Sequence, residues 1–281
     1  PRPASRRNDG WFVGLGVASA VYPVNRMPGT SARIVRQADG RYGVHIAAAD
    51  IGTGAWTSLT QIAAQALDVS PEQIDLRIGD SSLPSASVAG GSSGTTTWGS
   101  GIVAAAERFR EVHGDDPPEG AAVTADTPKN PDQDDYAMYA FGAHFAEARV
   151  HAATGEIRVP RMLGIYDAGT IINPTLARSQ FIGGMTMGLS MALHEQSVVD
   201  PQFGHVVNHD LADYHIASHA DVADIEAEWL DGKDLHTNPM GSKGIGEIGI
   251  VGSAAAVANA VHNATGVRIR ALPITPDKLL I

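Results

Sequence analysis

A glycine-rich stretch around a single carboxylate, residues 241–252, constrains the fold of this chain more than any other segment. Glycines stand close to Glu247 on both sides in the sequence, at Gly246 and Gly249. Glycine lets the backbone approach a neighbouring group closely, so Glu247 can project from this loop toward a ligand. The small apolar residues that follow, 253–261, predict a buried helix. An ordinary turn whose glutamate faces water is the alternative.

Composition excludes several classes of protein. The chain has 281 residues, a formal net charge of −11 and no cysteine. The negative charge argues against nucleic acid as a partner. Without cysteine, this chain itself provides no disulfide, no thiolate zinc site and no iron–sulfur ligand. No apolar run has the length of a membrane span. The first residues do not resemble a secretory signal, and we expect them to be an internal point of a longer protein.

The apolar pattern predicts an α+β chain of two mixed sheet-plus-helix halves. The halves are residues 1–113 and 136–281, and we expect the acidic, proline-rich segment 114–135 to be an exposed linker. The predicted strands are 11–21, 32–36, 42–46, 74–78, 140–150, 156–166 and 225–230. The predicted helices are one capped by Thr57 or Ser58, one over 95–112 and one opening at Asn173-Pro174.

Both halves follow the order strand, turn, strand, Asp-x-Gly, helix. Asp50-Ile51-Gly52 ends the first hairpin, and Asp167-Ala168-Gly169 ends the second. We interpret this order as a weak internal repeat whose two loops converge on one ligand between the halves. The helix after the second loop has small or soft residues on every face over 183–191, which predicts burial on all sides.

Three glycine- or serine-rich loops each precede a helix and are candidates for binding a phosphate-bearing cofactor. They are 52–54, 90–95 and 244–246. Such loops offer backbone N–H groups and helix N-termini to anions. Ordinary connections remain the alternative. None of the loops matches a P-loop, because no Gly-Lys-Ser/Thr occurs.

Other polar patterns indicate chemistry less strongly. Two pairs of histidines, His205 with His209 and His215 with His219, are each spaced by four residues, which could place each pair on one helix face for a metal. No His-Glu-x-x-His motif occurs, so a polar loop is favoured over a metal site. A Ser-His-Asp hydrolase is disfavoured because no Gly-x-Ser-x-Gly elbow occurs. Gln180, on the helix after Asn173-Pro174, offers a donor and an acceptor to a ligand, with a solvent-facing glutamine as the alternative.

These stretches together resemble the C-terminal part of the molybdopterin-binding large subunit of the xanthine oxidase and aldehyde oxidase family. The resemblance is most specific in residues 167–174, then at Gln180 and Gly184, and in residues 242–247. The loops at 50–54 and 91–95 agree in order and position. Residues 244–252 and 272–275 are most similar to bacterial aldehyde oxidoreductases.

The resemblance implies a role for each candidate residue. Glu247 would be the general base beside molybdenum in the oxidation of an aldehyde or a related heterocycle. The implied contacts to the molybdopterin cofactor, expected in its cytosine dinucleotide form, are Gly52, Thr53, Gly91, Ser92, Ser93, Gly94 and Gln180, with Gly246 packed against the metal centre. Many family members have glutamine at the place of Thr53, and no residue of this chain is expected to ligate the metal.

The resemblance also implies partners. The family's N-terminal half, with its glycine-phenylalanine-rich loop, would come from elsewhere, and 2Fe-2S clusters and FAD would lie on other chains. Two alternatives remain open: a metal-free fragment or remnant that acts as a binding or assembly subunit, and a stand-alone binder of phosphate ligands. The sequence does not distinguish a cytoplasmic from a periplasmic location.

Overall fold

The computed structural model describes residues 2–280 and contains mixed sheets with helices packed on them. The strands are β1 (Arg7–Asn8), β2 (Trp11–Pro23), β3 (Ser31–Arg36), β4 (Tyr42–His45), β5 (Ile74–Arg77), β6 (Ala122–Asp126), β7 (Tyr139–His151), β8 (Ile157–Asp167) and β9 (Asp224–Trp229). The helices are α1 (Ala55–Leu67), α2 (Gly94–His113), α3 (Pro174–Leu193), α4 (Ile248–Val251) and α5 (Ser253–Thr265). In the described part of the chain, no helix combines the length and the apolar character needed to cross a membrane.

The strands form two sheets of matching design. One sheet has the order β5-β4-β3-β6 and the other β1-β2-β7-β8-β9. Each contains an antiparallel hairpin, β3-β4 or β7-β8, whose second strand pairs in parallel with the strand that follows the next helix. This arrangement confirms the predicted α+β fold and the internal repeat.

The two Asp-x-Gly loops have the same local structure. The Gly52 N–H donates to Asp50 Oδ1 at 2.9 Å, and the Gly169 N–H donates to Asp167 Oδ1 at 3.4 Å. Both glycines have positive φ, 98° and 62° respectively. The repeated sequence therefore encodes a turn in which the aspartate binds the backbone two residues ahead.

Each sheet has its own core. Ile34, Val44, Leu59, Ile102 and Phe109 are among the buried residues of the first. The second core joins the inner faces of β2, β7 and β8 to helices α3 and α5. The strand at 11–23, expected in the first half, therefore belongs to the second sheet, where it pairs with β7 over its whole length.

The segment predicted as an exposed linker contains a strand and a buried side chain. Ala122–Asp126 pairs antiparallel with β3, with Val123 opposite Ile34. The amide of buried Asn130 donates to the His236 carbonyl at 2.9 Å. β6 lies at the edge of its sheet, where polar residues are tolerated. Its sequence therefore does not differ clearly from the prolines and acidic residues around it. The linker prediction was wrong for these residues, and the boundary between the halves remains a prediction.

Helix α1 begins earlier than the capping residues suggested. Its N-cap is Gly54 with φ 78°, so Thr57 and Ser58 lie inside its first turn. The Asp50 carboxylate takes over capping, because the Trp56 N–H donates to Asp50 Oδ2 at 3.3 Å. A side chain from the preceding loop thus satisfies a free N–H group of the helix.

Helix α3 is not buried on all sides. Its N-cap Asn173 accepts from the Leu176 N–H at 3.0 Å, as the sequence suggested. Met187 is 61% exposed and Met191 42% exposed. The helix buries Phe181, Met185 and Leu189 instead, so its small and soft residues divide between a core face and an open face.

The small residues of α5 are explained by glycines in β2. A Cβ at Gly14 would overlap the Ala260 carbonyl, and a Cβ at Gly16 would overlap the Ala256 carbonyl. The helix therefore lies directly on the strand, with Ala256, Val257 and Ala260 buried. The predicted helix is confirmed, and the contact holds the glycine-rich loop before it in place.

Candidate functional site

A cleft of about 660 Å³ lies where the three glycine- or serine-rich loops meet helix α3. Its walls include residues from the first Asp-x-Gly loop, the 89–95 loop, the 170–173 loop and the 242–247 loop. Seven of the nine predicted site residues line it: Thr53, Ser92, Ser93, Gly94, Gln180, Gly246 and Glu247. The predicted convergence of the loops is therefore present.

Gly52 and Gly91 do not line the cleft. Each has positive φ, 98° and 61°, and no atom lies within 4 Å of a Cβ built on Gly52. Their role in the structure is to let the chain turn so that the next residue, Thr53 or Ser92, lines the cleft.

The backbone of Glu247 is held by a hydrogen bond, and its two carboxylate oxygens differ in their surroundings. Its N–H donates to Ser92 Oγ at 2.9 Å. Its Oε2 is buried and has no hydrogen-bond partner among residues 2–280. A buried carboxylate oxygen without a donor is uncommon, because burial without a hydrogen bond costs free energy. This oxygen is available to a ligand.

Tyr22 lies near the Glu247 carboxylate and was missed by the sequence analysis. Burial raises the pKa of the Tyr22 phenol, and the negative charge of Glu247 and a hydrogen bond to its carboxylate raise it further. The strand pattern places Tyr22 on the helix-covered face of β2, but the sequence gives no sign that this strand reaches the 241–252 loop.

The loops carrying Ser92 and Glu247 touch each other directly. A Cβ on Gly244 would overlap the Ser92 carbonyl, and a Cβ on Gly246 would be 3.1 Å from Ser92 Oγ. Ser92 itself has φ 51°, a left-handed conformation that non-glycine residues rarely adopt. Such strain often marks a functional segment. Here it brings the Ser92 hydroxyl to the backbone of Glu247.

The cleft offers little unpaired positive charge. Lys243 is the basic side chain among its lining residues, and that side chain is only 6% exposed. Its Nζ lies 3.0 Å from Asp167 Oδ2 and 3.5 Å from Asp234 Oδ2. An anionic ligand would therefore be held mainly by neutral N–H and O–H donors, as the loop sequences suggested.

Gln180 lies on the open face of α3 and lines the cleft together with Gly183 and Met187. Helix α3, which begins at Asn173-Pro174, therefore carries Gln180 to the cleft, as predicted. Thr170, Asn173 and Ser242 also line the cleft but were not predicted as site residues. The bridge between Gly169 and Ser242 brings their two loops together, a long-range contact that local patterns do not reveal.

The histidines at 205–219 form no metal site in this structure. Within residues 2–280, no group of three or more His, Cys, Asp or Glu side chains is placed to hold a metal ion.

Comparison with known proteins relates this cleft to a cofactor. The family model of the molybdopterin cofactor-binding domain matches residues 2–113 and 118–223. The aldehyde oxidoreductase molybdenum-binding subunit PaoC of Escherichia coli strain K12 is 41% identical over 306 residues, covering 99% of this chain and 42% of PaoC. The probable hypoxanthine oxidase XdhD of the same strain is 30% identical over 322 residues, covering 100% of this chain and 33% of XdhD.

A solved structure has the same fold. The aldehyde oxidoreductase of Desulfovibrio gigas has a TM-score of 0.82 and 25% identity, over 98% of this chain and 33% of that protein. The chain spans less than half the length of each of these three relatives. Since the family match covers most of the chain and the fold agrees, the chain belongs to the molybdopterin cofactor-binding domain family, which includes the molybdenum-binding subunits of aldehyde oxidoreductases and xanthine dehydrogenases.

Proposed function

We propose that this chain contributes the general base, Glu247, to a molybdenum-dependent oxidoreductase that oxidises an aldehyde or a related heterocycle. The observation that carries the proposal is the Glu247 carboxylate, whose buried Oε2 has no hydrogen-bond partner among the described residues. It lies in the cleft formed by the loops that the sequence singled out. Buried carboxylates placed beside a reacting group commonly serve as general bases.

The residues of the cleft fit a molybdopterin cofactor. A volume of about 660 Å³ lies within the range of cofactor sites. The lining residue Gly183 leaves room for a bulky group, because no atom lies within 4 Å of a Cβ built on it. The buried Glu247 Oε2, which has no partner among the described residues, offers an acceptor to such a group. These features support binding of the cofactor here.

The residues of this chain would bind the cofactor, hold the Glu247 side chain in position and accept a proton. When bound, the molybdenum cofactor supplies the oxidising centre that takes electrons from the substrate. Glu247 accepts a proton at Oε2, since that oxygen has a free lone pair. The hydrogen bond from its backbone N–H to Ser92 Oγ fixes where the side chain starts. Tyr22 keeps its proton at neutral pH, because burial and the Glu247 charge raise the pKa of the phenol, so it does not compete as a base.

Neutral donors would hold the cofactor itself. Ser92 and Thr53 carry hydroxyl groups in the lining of the cleft, and Gln180 carries an amide. The buried Ser93 hydroxyl donates to the Gly90 carbonyl at 2.8 Å, so Ser93 would support the loop that binds the cofactor. With the Lys243 charge already paired to two carboxylates, these groups suit the phosphates of a pterin in its cytosine dinucleotide form. Gly52 and Gly91 would act by shaping the loops, Gly94 by letting its backbone pack against Trp98, and Gly246 by letting its backbone pack against Ser92.

The remainder of the enzyme would come from polypeptide outside residues 1–281. PaoC is named as a subunit, and this chain aligns with 42% of it. We propose that the N-terminal part of a molybdenum subunit closes the other side of the cleft. Because this chain has no cysteine, electrons would leave through an iron–sulfur subunit, with an FAD subunit as a further partner.

The proposal is tested by the Glu247→Gln substitution in the assembled enzyme that contains this chain. We expect turnover to fall by about a hundredfold or more, because a general base contributes factors of that order. Molybdenum and pterin content, measured by elemental analysis and fluorescence after release, should equal those of the wild type. Glu119→Gln, at an exposed loop residue, is the matched control and should retain full turnover.

Near-normal turnover of the Glu247→Gln enzyme would remove the general-base assignment. A wild-type assembly that turns over no aldehyde or heterocycle and contains no molybdenum would instead support the metal-free binding subunit.

A further inference from the structure

A buried histidine braces the short helix that follows Glu247. His144 lies in the middle of β7 with its side chain 0% exposed. Its Nε2 is 3.2 Å from the Ile248 carbonyl oxygen, and its Nδ1 is 3.1 Å from Ser253 Oγ. Histidine is seldom fully buried, so both ring nitrogens having partners here indicates a specific structural task.

The contacts define the protonation of the ring. A carbonyl oxygen only accepts hydrogen bonds, so Nε2 carries a hydrogen and donates it to Ile248. Burial lowers the pKa of His144, and the hydrogen bond to Ile248 offsets part of that effect. The neutral ring then has Nδ1 as an acceptor. The Ser253 hydroxyl is 3.1 Å from that nitrogen and 2.8 Å from the Gly249 carbonyl.

The carbonyls involved belong to α4, the four-residue helix Ile248–Val251. A helix this short leaves its carbonyl groups without intrahelical partners. His144 supplies a donor to Ile248, and Ser253 lies within reach of Gly249. Each partner comes from outside the helix, so the position of α4 depends on them.

The ring also fixes α4 by contact. A Cβ at Gly252 would overlap His144 Cδ2, so the backbone at the end of α4 lies directly on the imidazole. Glu247 is the N-cap of the same helix. A shift of the helix away from the ring would therefore move the origin of the Glu247 side chain.

We infer that His144 is a positioning residue for Glu247, holding α4 through the hydrogen bond from Nε2 to the Ile248 carbonyl. Its functional consequence rests on the role of Glu247 proposed above. His144 does not line the cleft and exchanges no proton with a ligand. It acts through the helix, so its loss should affect the chemical step more than substrate binding.

The test compares His144→Met with His144→Gln in the assembled enzyme. The two side chains have the same length, but only glutamine keeps an N–H donor for Ile248. For His144→Met we expect hydrogen-exchange protection of amides 248–253 to fall about tenfold or more, as the helix opens locally. We expect kcat to fall about tenfold to a hundredfold with KM nearly unchanged, because a small misplacement of a catalytic group costs factors of that size.

His144→Gln should restore both protection and kcat to near the wild-type values, with molybdenum content constant throughout. Val150→Ala, which opens space at a buried residue on the same face of β7, controls for general loss of stability and should leave amides 248–253 protected.

The outcomes separate this inference from the proposed function. Protection of 248–253 at the wild-type level in His144→Met, or equal loss in Val150→Ala, overturns the positioning role even if Glu247 is the base. Loss of protection in His144→Gln also overturns it, because that variant keeps the donor. If protection follows the donor but Glu247→Gln retains turnover, the positioning role stands and the catalytic assignment fails.

Discussion

Three carboxylates around the cleft differ in what occupies their oxygens. Asp50 accepts backbone N–H groups of its own loop, and Asp167 pairs with Lys243. Glu247 alone of these three has a buried oxygen with no partner within residues 2–280. Occupied carboxylates hold loops in place, whereas an unoccupied one is available for proton transfer. Hydrogen-bond partners, more than residue type, therefore distinguish the two structural aspartates from the proposed general base.

Asp50 gives a prediction about pH. Burial raises its pKa, but bonds from the N–H groups of Gly52, Trp56 and Gly54 outweigh burial, so the pKa is lowered overall. A depressed folded-state pKa stabilises the fold fully above the unfolded value of about 4, and this contribution is lost as pH falls through the folded-state pKa. Asp50→Asn keeps an acceptor but removes the charge. We expect it to lower the free energy of unfolding by about 1 kcal/mol at pH 7.

Urea unfolding of wild type and Asp50→Asn at pH 7 and at pH 3 measures this contribution. The difference between them should shrink at pH 3, because the Asp50 carboxyl of the unfolded chain is mostly protonated below its pKa of about 4. An equal difference at both pH values would mean that the aspartate charge does not stabilise this loop. Asp68→Asn, at the exposed residue that ends α1, removes a negative charge from the other end of the helix and is the control; it should not lower the free energy of unfolding at pH 7.

At the scale of elements, the position of Glu247 depends on two helices that meet through glycines. Gly184 of α3 and Gly249 of α4 approach so closely that a Cβ on Gly184 would lie 2.9 Å from the backbone of Gly249. On the other side α4 contacts His144. The short helix is thus held between α3 and β7. Its N-terminal residue, Glu247, is directed into the cleft.

This crossing predicts opposite effects for two adjacent glycines. Gly184→Ala places a methyl group against backbone and should lower the free energy of unfolding by about 1–3 kcal/mol, as overpacking does. Gly183→Ala meets no atom within 4 Å and should raise it by about 0.5–1 kcal/mol, because alanine favours a helix over glycine. Thermal unfolding of the two variants provides the measurement. Equal effects of the two substitutions would contradict the backbone contact.

Local sequence predicted the elements well and their contacts less well. Hairpins, the Asp-x-Gly turns and the start of α3 follow from short-range patterns, and all are present. The edge strand β6 and the sheet to which β2 belongs depend on long-range pairing. The proximity of Tyr22 to Glu247 is likewise a contact between the beginning and the end of the chain. Periodicity carries no information about such partners, whereas the family resemblance identified the loops that converge.

At the scale of the whole molecule, the two sheets are two copies of one structural unit. The order β5-β4-β3-β6 corresponds to β9-β8-β7-β2 in the larger sheet. In the first unit the fourth strand, β6, follows the others in sequence, whereas in the second unit the corresponding strand, β2, precedes them. The first unit is thus inserted between β2 and the remainder of the second. The Val24 N–H donates to the Met138 carbonyl at 3.0 Å, so the two ends of the insertion leave side by side.

This arrangement predicts which parts of the chain fold independently. Residues 28–130 contain a full sheet with its own core and should fold alone. Residues 136–281 alone lack β2, leave α5 without the strand on which it lies, and should not unfold cooperatively. Replacing residues 26–135 by a short Gly/Ser linker restores β2 beside β7 and should give a cooperative transition with a free energy of unfolding of about 5 kcal/mol.

Circular dichroism during urea titration of the three chains measures the cooperativity and the free energy of unfolding. A cooperative transition in 136–281 alone would show that β2 is dispensable, and failure of the linked chain would show that the second unit needs the first.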